Sequence, residues 1–459
     1  MAADPPSQPT ASEPFPVHGR VMRSFLILAA AQGVAGLLYL GALTLLANRL
    51  HPDAFGQVCF AEAAVAYLIV LSAMGLDFLG TRQVARHRGR ETEYVTHVSS
   101  LRLFLAALAY LLLAIIVLLS GVAPTIRYLL LLYGLALFPL ALSLEWLFQS
   151  TQQMQFCALF VVLREAIFAF AVLLFVRDPA RMLLVPVLYL IARSAAVATL
   201  LTIFIRRFGR IRLTVDQPVW TRMLRHSVPI GLSQLLAAAI YLVGTTLLGT
   251  LSADREVGFY GAAARPLLFV LVLVGAYGAA VYPVVSSLYV TSPAAFARLV
   301  GGSAWLSSCA GVAVALGGWS LAGWIIGLLY PGGAYAASVP VFKVLAVAVG
   351  IGVVTTTYSR ALLACDGQNR YLVVVALQLT ACVVACLMLV PAHGALGAAL
   401  GSLAAEIAGL CGCVVVYRDA LRRREVGGDL SHGPRAECDI LVAQPPAASS
   451  ERPDREGRK

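Results

Sequence analysis

Lysine is almost missing from this chain: it occurs at Lys343 and Lys459 and nowhere else. Charge of any kind is scarce, at 12% of the residues, where soluble domains typically carry about 25%. That deficit excludes a soluble protein. The nine cysteines, Cys59, Cys157, Cys309, Cys365, Cys382, Cys386, Cys411, Cys413 and Cys438, lack paired CxxC spacing and fall mostly in apolar stretches. They read as small helix residues, neither a metal site nor a disulfide framework. No nucleophile elbow, HExxH, Walker loop or spaced carboxylate pair occurs, so an enzyme is not expected and no cofactor is implied. The opening MAADPPSQPTASEPFPVHGR lacks the early basic-then-apolar order of a cleaved leader, so the first apolar segment is expected to stay as an anchor.

What the chain does have is oil. Hydrophobic residues make up 60% of its 459 positions and the mean hydropathy is +0.83. The expected fold is an all-α polytopic membrane protein. Apolar stretches long enough to span (~20 residues) run approximately over 24–47, 58–80, 103–122, 128–148, 158–176 and 182–205. A second set follows over 227–249, 258–281, 300–329, 341–363, 371–389 and 394–416, twelve in all. The ninth, long and glycine-rich, is expected to tilt or break. Between the sets lies RRFGRIRLTVDQPVWTRMLR, with six arginines against Asp216. The expected organisation is a disordered tail over 1–22, a six-helix lobe over 23–205, a basic linker over 206–225, a second lobe over 226–417 and a disordered tail over 418–459.

A shift of 202 positions aligns Leu45, Leu46, Ala47 and Gly56 with Leu247, Leu248, Gly249 and Gly258. In both copies an apolar helix ends, a short polar loop (48–55; 250–257) leads to a glycine, and a small-residue helix begins. An even number of spans per half makes this a parallel repeat.

The basic residues also orient the chain. The loops beginning at Arg82, Arg206 and Arg418 share one side with the N-terminus, which the positive-inside rule makes cytoplasmic. The net charge of +11 is thereby explained by the bilayer surface, and nucleic acid is not an expected partner.

Several stretches together resemble the Wzx-type lipid-linked oligosaccharide flippases, the polysaccharide-biosynthesis branch of the multidrug/oligosaccharidyl-lipid/polysaccharide exporter superfamily. They are LHPDAFG at 50–56, GLDFLGTRQVAR at 75–86, Glu145, Trp146, Phe148 and Gln149 closing the fourth span, SVPIGLSQLL at 227–236, EVGFYGAAARPL at 256–267, YPVVSSL at 282–288 and VPAHGALGAALGSLAAEI at 390–407. Gly244 departs from the pattern, since many relatives carry an acid there, which puts ion coupling through that position in doubt. The resemblance implies alternating access by two lobes. It implies a polyprenyl-pyrophosphate-linked oligosaccharide moved from the cytoplasmic to the outer leaflet of a bacterial inner membrane, for O-antigen or exopolysaccharide synthesis. A polysaccharide polymerase is an implied partner. The alternatives are a drug or cation exporter of the same superfamily, which would favour acids and aromatics in its cavity, and a non-transporting component of polysaccharide assembly.

Ionisable groups inside spans are costly and therefore candidates for function. Arg193, mid-span, is expected to grip a pyrophosphate or acidic sugar in the cavity, the alternative being a structural pair with a carboxylate. Arg164 either pairs with Glu145 across a hairpin or faces the cavity. Arg265 and Arg360 are further cavity candidates, with helix-end anchoring as their alternative, and Arg102 reads as a snorkelling residue. Glu62, Asp77, Glu145, Glu165 and Glu406 are the acids to weigh for ion coupling against structural pairing. Gly397 and Gly401 form a GxxxG spacing that suits close helix packing.

Overall fold

The computed structural model describes residues 17–425 apart from 88, 366 and 367. The expected disorder of the tails concerns residues largely outside that range, although helix begins at Val17 and persists to Glu425, inside both expected tails. The first half comprises α1 (Val17–Ala73), α2 (Leu76–Arg86), α3 (Glu91–Leu119), α4 (Pro124–Gly134), α5 (Leu137–Ala141), α6 (Glu145–Ser150), α7 (Met154–Phe175) and α8 (Leu184–Phe208). The second comprises α9 (Gln217–Leu251), α10 (Asp254–Thr291), α11 (Pro293–Leu329), α12 (Ser338–Ala364), α13 (Gln368–His393) and α14 (Ala395–Glu425).

Eleven helical segments among the described residues are long and apolar enough to cross a membrane. The first of them, Leu26–Arg86, contains two of the twelve expected crossings. α1 alone would be about 85 Å long if straight, at 1.5 Å per residue, against a hydrocarbon core of about 30 Å. It turns back at His51 (φ 61°), followed by Pro52, whose ring cannot continue the preceding hydrogen-bond ladder. The polar loop expected over 48–55 is thus one residue of broken helix. Its counterpart over 250–257 shrinks to Ser252 and Ala253. The linker likewise contracts: α8 runs on to Phe208 and α9 starts at Gln217, with Asp216 capping it by accepting from the Val219 amide (3.1 Å). The Arg206–Arg225 end is called the linker end below and the His51 end the far end.

Two spans depart from the sequence reading. Of the tilt or break expected in the ninth, the break does not occur: the helix is continuous over its 37 residues. The fourth, read in sequence as one continuous span, is broken into α4, α5 and α6 around Pro139. Carbonyls at a break inside a membrane need donors, and Arg102 adds two: Nη2 donates to Leu140 O (2.9 Å), which also accepts from the Ser143 amide (3.1 Å), and Nη1 to Ser143 O (3.3 Å). Asp77 balances its charge at 2.6 Å. Arg102 is therefore no snorkelling residue, since its side chain is buried among α2, α3 and the break.

The lobes meet along α1, α9 and α10. At the far end the repeat is visible as contact. A Cβ on Gly56 would lie 1.8 Å from the carbonyl oxygen of Asp254, and one on Gly258 2.1 Å from that of Pro52. Residues 52 and 56, each advanced by 202, become 254 and 258, so the two contacts are mates under the repeat. At the linker end Gly75 (φ 72°) touches Gly231 backbone to backbone, a Cβ on it falling 2.7 Å from the Gly231 nitrogen. Gly397 and Gly401 abut α13 at Leu389 and Cys386, as their spacing predicts.

Candidate functional site: an interlobe cavity

A cavity of about 170 Å³ lies between the lobes. α1 contributes Glu62, α9 contributes Tyr241, α10 contributes Tyr260 and Arg265, and α14 contributes Ser402 and Glu406; the remaining walls are largely apolar. The far end is plugged by aromatics. The Tyr335 hydroxyl donates to Ala47 O (2.9 Å) and that of Tyr330 to Ala262 O (3.1 Å). Phe55 and Phe259 meet the Tyr335 ring edge-on, each with centroids 6.3 Å away. Asn48 adds a bond from its Nδ2 to Leu329 O (2.9 Å).

Arg265 and Glu62 join the lobes across this cavity, Nη2 to Oε2 at 2.7 Å. Their side chains retain 16% and 18% exposure, so the pair is largely desolvated yet still reachable from the cavity. The Tyr39 hydroxyl donates to the second oxygen of Glu62, and its ring lies 5.8 Å from the Arg265 guanidinium carbon. A low-dielectric setting strengthens each of these contacts.

On the opposite wall Glu406 is buried at 8% exposure. A Cβ on Gly352 would stand 3.2 Å from its carboxyl carbon, so α12 leaves room for the carboxylate by having no side chain there. One turn earlier, Ser402 bonds the Tyr260 hydroxyl at 3.0 Å. That hydroxyl lies 3.0 Å from where a Cβ on Gly244 would be. The space beside Gly244 is thus filled by Tyr260 and Ser402, and the carboxylate on this wall comes from α14.

The other arginines lie elsewhere. Arg193 was expected to face the cavity but is buried inside the N-terminal lobe, Nη2 to Glu165 Oε1 at 3.4 Å, with side-chain exposures of 7% and 6%. Its guanidinium stacks on Tyr189 at 3.5 Å and lies 5.7 Å from the Phe168 centroid. Arg164 binds the same Glu165 oxygen at 2.7 Å, and Glu145 accepts instead from Gln149 (3.3 Å). Two guanidiniums thus share one carboxylate. Tyr39, 6.2 Å from Phe168 between centroids, connects this cluster to Glu62. Arg360 lines a separate cavity among α10, α11 and α12. Asp77 is spent on Arg102.

Sequence reasoning missed Tyr39, Tyr241, Tyr260 and Ser402, which carry no charge and so give no signal in an apolar span. The partner of Arg193 was readable. Glu165 lies ten residues before the end of α7 and Arg193 nine after the start of α8, so an antiparallel hairpin sets them at one depth.

Two helical lobes joined by a linker, with a cavity and a cross-lobe ion pair between them, define a polytopic membrane protein of transporter architecture. The chain belongs to the polysaccharide biosynthesis protein family, which it matches over residues 21–289. Its fold is similar to that of the lipid II flippase MurJ in an inward closed conformation (TM-score 0.70, 12% identity, covering 86% of this chain and 89% of that one). It is also similar to a multidrug resistance MATE family transporter of the MOP superfamily in an inward-facing conformation (TM-score 0.66, 14% identity, 86% and 96% covered). A MOP superfamily transporter from Pyrococcus furiosus shares the fold as well (TM-score 0.61, 14% identity, 89% and 96% covered). No curated protein matches the sequence.

Proposed function

We propose that the protein is a flippase that moves a polyprenyl-pyrophosphate-linked oligosaccharide from the cytoplasmic to the outer leaflet of a bacterial inner membrane, supplying surface polysaccharide synthesis such as O-antigen or exopolysaccharide. The linker end faces the cytoplasm in this reading, and a polysaccharide polymerase takes the product. The observation that carries it is the Arg265–Glu62 pair: a guanidinium at the lobe boundary, held by one carboxylate, inside a family of polysaccharide biosynthesis. A diphosphate entering the cavity competes with Glu62 for Arg265, because the planar fork of Arg binds phosphate as it binds carboxylate. Loss of the cross-lobe bond releases the lobes at this level, which couples occupancy to alternating access. Arg193 and Arg164 hold the N-terminal lobe together in this account and do not touch the cargo.

A second reading has its own observation. The cavity presents two carboxylates, Glu62 and Glu406, and two tyrosines against one guanidinium, a balance that suits an organic cation. Glu406 then serves as its counter-charge; in the flippase reading it is the candidate ion-coupling site. Liposomes containing the purified protein separate the two. Transbilayer movement of a fluorescent lipid-linked oligosaccharide, with no protein-dependent efflux of a lipophilic cation, supports the flippase. The reverse pattern replaces it with the exporter.

A further inference from the structure

Glu62, Asp77 and Glu165 each hold an arginine. Glu406, equally deep in the bilayer and 8% exposed, has no such partner among the described residues; its hydrogen-bond partner is the Thr355 hydroxyl. That hydroxyl also reaches Ile351 O (3.1 Å), and it has a single proton to give. Burying an ionised carboxylate is costly unless donors reach it. Glu406 lines the interlobe cavity, so the missing donors have a way in.

The helices set what arrives there. α10 and α14 start side by side at the far end, where the Ala395 amide donates to Glu256 (2.7 Å), and both run toward the linker end. The contact between Tyr260 and Ser402 (3.0 Å) is their next rung. Arg265 lies five residues beyond Tyr260 and Glu406 four beyond Ser402, about 7.5 Å and 6 Å at 1.5 Å per residue. The guanidinium and the carboxylate therefore stand at nearly one depth in the same cavity. They do not pair, because Arg265 is turned to Glu62 on α1.

We infer that Glu406 reads the first sugar of the cargo, accepting hydrogen bonds from a neutral or amino sugar and excluding an acidic one. The inference rests on the flippase reading: a sugar joined directly to a diphosphate on Arg265 is presented to the facing wall. An ionised carboxylate only accepts, so it matches sugar hydroxyls, amide N–H groups or an ammonium. A uronic acid places like charge against it, with Arg265 already committed to the diphosphate, and like charges in contact are strongly disfavoured. Glu62, once displaced, keeps its bond from the Tyr39 hydroxyl. Ion coupling, the other use of Glu406, belongs to the empty cavity and alternates with the sugar on one carboxylate.

Two synthetic lipids test this, a polyprenyl diphosphate carrying one glucose and the same lipid carrying one glucuronic acid, each titrated against the purified full-length protein. The wild type is expected to bind the glucose lipid at least about tenfold more tightly, the factor that corresponds to 1.4 kcal/mol. Glu406→Gln should bind the glucuronic acid lipid more tightly than the wild type does, because its amide donates to the sugar carboxylate. Glu406→Ala, which removes the charge and offers no hydrogen bond, should also admit the acidic sugar and bind the neutral one less tightly than the wild type. A merely structural role for Glu406 predicts no gain for either lipid. Equal wild-type affinity for the two lipids overturns the sugar assignment and leaves the flippase reading standing, as does a loss of both in the two variants. Failure of the wild type to bind either lipid overturns the flippase reading and the sugar assignment with it.

Discussion

The amide nitrogen of Gly258 lies 2.9 Å from the point where a Cβ on Gly56 would stand, and the two residues are mates under the 202-residue repeat. The far-end seam is therefore backbone against backbone, and neither position has a flexible neighbour that can yield. Gly56→Ala and Gly258→Ala are each expected to part the lobes at this end with similar severity. In a cysteine-free background, a cysteine at Asn48, which now bonds Leu329 O, should react with an impermeant thiol reagent several times faster in either variant. Unchanged reactivity would mean that the seam absorbs a methyl group.

Arg102 does three things at once: it neutralises Asp77 and caps two carbonyls of the broken fourth span. Removing one partner of a buried pair costs about 3–5 kcal/mol. Arg102→Leu should lower the melting temperature of the detergent-solubilised protein sharply and reduce its amount in the membrane. Asp77→Asn is expected to cost less, because Asp77 is 37% exposed and the carbonyl contacts of Arg102 persist.

Arg193 and Glu165 should behave as structure. Arg193→Met is expected to reduce membrane abundance together with transport. Adding Glu165→Met should recover abundance in part, since Arg164, at 26% exposure, can turn to water. A well-expressed Arg193→Met that has lost transport alone would return this residue to the cargo path.

Orientation rests on the arginine asymmetry. Leu213 lies in the non-helical linker and is 57% exposed. Leu213→Cys, again in a cysteine-free background, should resist an impermeant thiol reagent in intact cells and react once they are permeabilised. Labelling in intact cells reverses the topology.

Much of this architecture was legible because bilayer thickness imposes it: helix lengths, the two halves and the register of the repeat all follow from apolar runs and two glycines. Even the cross-lobe pair has a trace in the sequence, since Glu62 advanced by 202 falls on 264, beside Arg265. The breaks were less legible. In the fourth span the signal was Pro139, but the break holds only because a guanidinium from α3 reaches it, which no local pattern encodes. Arg193 misled for the opposite reason. Mid-span burial marks a charge as exceptional, but whether it meets a carboxylate or a cavity depends on which helix lies beside it. Glu406 was one acid among five in sequence, and its place on the cavity wall comes from Gly352 on another helix.

The central claim is that Arg265 is shared between Glu62 and the diphosphate of the cargo. Binding of a fluorescent lipid-linked oligosaccharide to the purified wild type, Glu62→Gln and Arg265→Gln tests it most directly. The account predicts that Arg265→Gln loses binding while Glu62→Gln binds several-fold more tightly than the wild type, because the competitor for the guanidinium has gone. If Glu62→Gln instead weakens binding as much as Arg265→Gln does, the pair only holds the lobes together and the claim fails.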